Sequence, residues 1–322
     1  MTHAKELLAS FVLKGKSSAM SSSPHSAEQF GEQRDFWWNR DFLDLMAARW
    51  RLKDATSLAD IGCGLCHWSR LLYPYFKFHA RFAGVDREAR WVTDGAQQFQ
   101  KSFPEVPTDL LTFVQGDATA IPLPDNSFDV VTCQTVLMHL ALPLDALREM
   151  IRILRPGGLL VCVEPNNLWN FMAFTSLTAN ESVEVLVRRF EFWLRYHRGK
   201  IAAGQGDHCI GNLLPGYFAQ LGLSELKVYQ SDRVASLFPP YETPAQCALI
   251  EQTEQWKNHL LQPENQKEMQ SQVMRGGGTT EFFEHGFVEI MENHAQENEA
   301  IDAGEFHAAY GGLTYLVSGR KR

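Results

Sequence analysis

Residues 58–66 read Leu-Ala-Asp-Ile-Gly-Cys-Gly-Leu-Cys, an apolar run carrying an acid two places before a Gly-x-Gly turn. A run of this kind is a buried parallel strand that leaves its sheet through a tight turn into a helix, which confines the chain to an open α/β sheet. The acid, Asp60, suits a ligand bearing an ammonium group. A dinucleotide fingerprint would continue as G-x-G-x-x-G/A, its third residue small for helix–strand packing. Here that third position is His67.

Further segments repeat the pattern. Arg81–Asp86 is an apolar stretch ending in a carboxylate, where an α/β nucleotide fold places the acid that grips two ribose hydroxyls, and Asp86 takes that role. A third strand, Leu111–Gln115, runs into Gly116-Asp117-Ala118, where Asp117 would accept from an exocyclic amine and Ala118 would offer its backbone N–H to the ring. A fourth, Phe128–Cys133, is followed by Gln134 to His139. Leu154–Pro165 reads as helix end, Pro-Gly-Gly turn and fifth strand.

With Asp60–Gly64, Asp86, Gly116–Ala118, Phe128–Asp129 and Arg155–Gly158 in that order, the chain over roughly residues 50–165 resembles the class I S-adenosylmethionine-dependent methyltransferases. Within them it is most similar to the small-molecule branch that includes the ubiquinone and menaquinone biosynthesis enzymes. The resemblance implies an α/β fold, a Rossmann-like doubly wound seven-stranded sheet with an antiparallel last strand and helical lid additions. It implies S-adenosyl-L-methionine as cofactor, held by Arg34, Asp60, Gly62, Cys63, Gly64, Asp86, Arg87, Gly116, Asp117, Ala118 and Gln134. Arg34 would pair with the cofactor's carboxylate, the alternative being a solvated surface arginine. The acceptor is not implied, because members of the family methylate unrelated substrates.

A chain of 322 residues, 45% hydrophobic and 21% charged, has room for one α/β domain plus additions. Its formal net charge of −8 opposes a phosphate-backbone partner. Gln134-Thr135-Val136-Leu137 also stands where amino-methylating nucleic-acid enzymes carry Asn/Asp-Pro-Pro-Tyr/Phe. No nucleic-acid partner is expected. No apolar run reaches the about 18–20 residues of a spanning helix, and Leu7–Leu13 is too short for a secretory signal. A cytoplasmic setting with no membrane partner follows, and six cysteines without a disulfide pattern agree with it. Cys63-x-x-Cys66 lacks the second pair that would complete a zinc site, so no metal is expected.

The organisation reads as a weakly ordered arm over 1–30, an N-terminal lid helix over 31–56, the cofactor-binding core over 57–165 and a helical cap over 166–209. A core helix with strand six follows over 210–238, then a helical insertion over 239–309 and the final strand and tail over 310–322. Trp38, Phe42, Leu45 and Met46 stripe the first helix, which would lie over the carboxyl edge of the sheet or simply cap the core. Val183, Leu186, Val187, Phe190, Trp193 and His197 stripe the cap helix, with Arg188, Arg189, Arg195 and Arg198 as a solvated face. Strand six is expected as one piece, Glu225–Phe238, stopped by Pro239-Pro240. The insertion reads as helices Glu242–Leu261, Glu264–Arg275 and Thr280–Glu299, with Gly276–Gly278 as a hinge on the acceptor side. The alternatives for it are a static cover and a homodimer surface. His285, Glu289, Glu292 and His294 read as surface charge.

Methyl transfer from a sulfonium is an in-line displacement, so the enzyme contributes mainly alignment, and a base is needed only for a protonated acceptor. The candidates sit where strands four and five end. His139 is one, its alternative a structural bond across the sheet top. Glu164 is the other, expected to face the crevice because Pro165 interrupts the ladder. Trp38, Asn166, Asn167, Trp169, Tyr196 and His208 would line the acceptor site. The expected activity is methylation of a small-molecule acceptor at O, N, S or C. Its rivals are a protein side-chain methyltransferase and a non-catalytic cofactor-binding partner protein.

Overall fold

The computed structural model describes residues 34, 36–310 and 313–322; the expected arm over 1–30 and the Gly311-Gly312 pair lie outside these. The chain forms two compact units, a sheet unit of 38–166, 206–232 and 313–322 and a helical unit of the remaining described residues.

The sheet unit is built on β1 (Ser57–Ile61), β2 (Arg81–Asp86), β3 (Leu111–Gln115), β4 (Phe128–Gln134), β5 (Leu154–Asn166), β6 (Ser224–Gln230) and β9 (Leu313–Arg320). Their order is β3-β2-β1-β4-β5-β9-β6. The first five are parallel, and β9 lies antiparallel between β5 and β6, as expected. One face of the sheet carries α1 (Arg40–Trp50), α2 (His67–Leu72) and α3 (Ala89–Ser102), which pack with Leu58, Val130, Val161 and Leu316. The other carries α4 (Pro143–Ile153) and the shorter helix Leu214–Gln220, packed with Ile61, Val131, Leu160 and Val317. Covered on both sides, β1 is buried along its whole length, which is why it reads as an unbroken apolar run.

At the amino end of the sheet Asp129 locks three strands. Its Oδ2 accepts from Thr56 N and Oγ1 at 2.8 and 2.7 Å, and Arg155 pairs with its Oδ1 at 2.6 Å. Burial pushes the Asp129 carboxyl up, but the Thr56 bonds and Arg155 together hold it below its ordinary value. Two of the motif segments that carried the family resemblance thus serve the sheet itself.

The first helix packs into the core on one face of the sheet. Asn39, in extended conformation, starts α1, and Arg51, left-handed at φ 58°, ends it. The helix buries Leu43, Met46, Ala47 and Trp50, a stripe rotated from the expected one, and Leu45 is left 45% exposed. Trp38 belongs to the same packing, its ring 4.9 Å from that of Trp68. It is a half-buried aromatic packed against the core of the sheet unit.

With Leu214–Gln220 of the sheet unit counted as α6, the helical unit contains α5 (Val183–Ala202), α7 (Pro244–Leu260), α8 (Pro263–Arg275) and α9 (Thr280–Asp302). Its core gathers Phe192, Trp193, Met269, Val273, Phe283, Phe287 and Ile290. The insertion helices match their expected bounds closely. The α5 stripe does not, because burial concentrates at Phe192, Trp193, His197 and Gly199 while Val183 and Val187 stay 69% and 58% exposed. The arginines are not simply solvated: Arg188 holds Glu289, Arg189 holds Glu181 and Arg195 holds Glu191. His294 lies inside the unit beside Trp256, and burial pushes its imidazole down to about 4. Strand six also splits. Polar Asp232 and Arg233 interrupt it, and β7 (Ala235–Leu237) pairs instead with β8 (Ala308–Tyr310) in a two-stranded ribbon. Among the described residues no helix is long and apolar enough to cross a membrane.

Two glycines let α5 and its neighbours touch backbone to backbone. A Cβ on Gly199 would sit 1.6 Å from the Gln272 carbonyl oxygen, and one on Gly276 would sit 1.9 Å from that of Arg195. The Gly276–Gly278 segment is thus a packed crossing and not an open hinge. Gly199→Ala and Gly276→Ala are expected to cost about 3 kcal/mol or more in chemical denaturation, at or beyond the upper end of overpacking penalties. Gly216→Ala, where a Cβ meets nothing within 4 Å, should be neutral or stabilising by up to about 1 kcal/mol.

Candidate active site

The glycine loop after β1 owes its shape to the end of β2. Gly62 and Cys63 both donate to the Val85 carbonyl at 2.7 and 3.0 Å, and Gly64 donates to Asp86 Oδ2 at 2.9 Å. Gly62 and Gly64 have φ of 69° and 49°, in the left-handed region that favours glycine. Gly95 of α3 admits the loop, since a Cβ there would sit 2.3 Å from the Gly64 oxygen. Three consecutive amides are therefore spent on β2, and none of the three is left for the phosphate cradle a dinucleotide site requires.

Asp86 is the centre of this region. Besides Gly64, it accepts from Glu88 N at Oδ1, 3.0 Å, and its own carbonyl takes the Gly116 N–H at 2.9 Å. Each carboxylate oxygen accepts one bond and retains lone-pair capacity for a second. Asp60 is buried at the end of β1. Asp117 turns back on Thr119, whose N and Oγ1 donate to its Oδ1 at 2.8 and 2.6 Å, and these bonds hold its carboxyl below the ordinary range. Arg87 is exposed, and its carbonyl receives Gln115 Nε2 at 2.9 Å. Asp60, Gly62, Cys63, Gly64, Asp86, Arg87, Gly116, Asp117, Ala118 and Gln134 all belong to the carboxyl ends of β1 to β4 and the loops that follow them. A hydrogen bond between the free thiols of Cys63 and Cys66, together with burial, pushes the Cys63 thiol well above its ordinary value, which opposes a metal-binding thiolate. Among the described residues no cluster of three or more His, Cys, Asp or Glu is placed to hold a metal ion.

Glu164 corrects the sequence reading. The ladder continues through Pro165 and Asn166, which face Thr314 and Leu313 on β9, so the carboxylate does not emerge into a crevice. It is 0% exposed and accepts the N–H groups of Val136, Leu137 and Met138 at 2.8, 2.8 and 3.2 Å. Its Oε1 accepts two of these amides and its Oε2 one. His139 is exposed at the end of the turn so held, its ring centroid 5.1 Å from that of His208. Asn166 ends β5 in the same unit.

Arg34, Asn167, Trp169 and Tyr196 fall in the helical unit. The Arg34 guanidinium lies over Trp37 at 5.2 Å, and Trp169 is exposed in the short helical turn Asn167–Met172. Tyr196 packs edge-on to Trp193 at 5.7 Å, and burial pushes its hydroxyl up to about 12. Val136, Gly95 and the Val85 carbonyl were missed by the sequence reading; only Gly95, a glycine inside a helical pattern, carried a local signal.

Residues 59–162 match the family described as a methyltransferase domain. Over those residues the chain is similar to methyltransferase domains. The chain is 29% identical over 127 residues to a demethylmenaquinone methyltransferase of Listeria welshimeri, covering 39% of this chain and 50% of that protein. The corresponding protein of Staphylococcus haemolyticus is 30% identical over 133 residues, covering 41% and 51%. The chain thus spans about half the length of these curated relatives. A candidate methyltransferase from Bacillus halodurans C-125 shares the fold at a TM-score of 0.50 and 17% identity, over 88% of this chain and 98% of that one.

Removing the Asp86 carboxylate leaves the buried Gly64 N–H without its acceptor. Asp86→Ala is expected to remain folded but to lose about 1–3 kcal/mol in urea denaturation; an unchanged midpoint would show that the loop holds its shape without it. Glu164 gives a second test. Burial pushes its carboxyl up to about 7, against the pull of its three N–H donors. The folded state then favours the protonated form, so this stabilisation is complete below about 4.5 and disappears as pH rises through 7. Relative to Glu164→Gln, the wild type should lose about 3 kcal/mol between pH 4.5 and 8, read from paired denaturation midpoints.

Proposed function

We propose that this chain transfers a methyl group from S-adenosylmethionine to a small-molecule acceptor in the cytoplasm. One observation carries the reading: at the end of β2 the loop amides are spent internally and the acid keeps capacity to accept. That is the acceptor set for a ligand with hydroxyls and a cationic end and no phosphates. Asp86 would hold the two ribose hydroxyls, Asp60 the ammonium group, and Asp117 with Ala118 the adenine. When bound, the cofactor supplies an activated methyl group on a positively charged sulfur.

The chain's own contribution is alignment and, for an acceptor that must shed a proton, a base. His139 is the residue for that task, being exposed, at the carboxyl end of β4 and beside a second imidazole. Acidic net charge supports a small acceptor over nucleic acid, and six free thiols support the reducing compartment.

Incubation with methyl-labelled cofactor and a metabolite extract should place label in small organic products. Label in protein alone, or none at all, would overturn this reading. His139→Ala should lower turnover by about 10²–10⁴-fold with cofactor affinity within about twofold. Equal loss of affinity and turnover would make His139 a structural residue.

A further inference from the structure

The turn after β4 is held from below by a buried carboxylate and presses from above on the glycine loop. Thr135 sits at φ 53°, costly for a β-branched residue, and donates its N–H to the Val163 carbonyl at 2.9 Å. The next three amides converge on Glu164. The side chain of the first, Val136, fills the space over Gly62: a Cβ on that glycine would lie 2.5 Å from Val136 Cγ2. At the other end, His139 N closes the turn on the Val136 carbonyl at 3.0 Å. The backbone of Met138 and His139 lies against Gly206, where a Cβ would meet the Met138 oxygen at 2.2 Å, two residues before His208. A single buried group thus fixes a segment that touches the cofactor loop with one residue and presents His139 with another.

We infer that Glu164 is a positioning residue that couples the acceptor-side turn Val136–His139 to the glycine loop, acting through the Val136 side chain on Gly62. A hydrogen-bonded carboxylate grips backbone amides more strongly when ionised, because charge-assisted bonds are about twice as strong as neutral ones. The titratable groups around it are few. The Cys133 thiol on β4 lies 3.9 Å from Oε1, Cys162 stands next to Cys133 in the ladder, Tyr315 lies opposite Glu164 on β9, and Asp60 on β1 acts on Cys133 by its charge. The inference rests on the proposed cofactor only in its binding arm.

Hydrogen–deuterium exchange on the full chain reads the coupling directly. Glu164→Gln keeps the size but replaces one acceptor oxygen by a donor; Val136→Ala keeps every N–H donor and removes only the press on Gly62. Glu164→Gln should speed exchange at least tenfold in both 136–139 and 62–66, whereas Val136→Ala should speed it in 62–66 alone. Affinity for S-adenosylhomocysteine, measured by calorimetry, should fall at least fivefold in both variants. The inference is overturned if Val136→Ala leaves 62–66 unchanged, an arm that stands even if Glu164→Gln does not fold. A wild-type chain that binds no S-adenosylhomocysteine would overturn the proposed cofactor, while the exchange arms would still decide the coupling.

Discussion

Everything at the carboxyl edge of the sheet is arranged around the last two residues of β2. The Val85 carbonyl takes two amides of the glycine loop, Asp86 takes the third with its side chain, and the Asp86 carbonyl takes Gly116 from the neighbouring loop. One strand end thereby sets two loops that are far apart in sequence. It also decides the chemistry on offer. Loops of this type bind phosphate when their amides point outward; here they point into the protein, and acceptor capacity is what remains. The acid is an internal acceptor at both of its oxygens and keeps lone-pair capacity beyond those bonds.

Strand ends of this kind are legible because their signals are local. An apolar run followed by glycine or an acid shows both the strand and its exit, and β1 to β5 stand where the pattern puts them. Glu164 was misread because its partners are backbone amides some 26 to 28 residues away; nothing in the neighbouring letters says that three N–H groups will converge on it. Pro165 misled for a related reason. A proline withholds one donor, but its carbonyl and its neighbours still pair with β9. The cap helix failed differently: a list of apolar positions cannot tell which half of a long helix will be covered, and Val183 and Val187 are not.

The helical unit shows how far small residues determine packing. At Gly199 and Gly276 the approach is so close that no other residue fits without movement, and at Gly286 a Cβ would meet the Phe192 ring at 2.3 Å. Glycine inside a helix is unfavourable in isolation. In this unit it is offset by contact between helix backbones, and the large rings of Phe192, Trp193 and Phe287 complete the core. A run of three glycines that reads as flexibility in the sequence is, in the folded chain, mostly proximity.

The position of β9 has a consequence for how such a chain can change. β6 ends at Gln230 and meets its partner residue at Tyr315, so the sheet is completed by a strand that arrives after a long excursion. The entropy of closing a flexible loop grows only with the logarithm of its length, about 0.6 kcal/mol for each doubling. The sheet is therefore nearly indifferent to how much chain lies between those two strands, provided the excursion folds on itself and returns. What the topology makes expensive is time, because a pairing between distant segments forms late. Lengthening or replacing the helices between β6 and β9 would cost the sheet little equilibrium stability and would be registered chiefly in its folding rate.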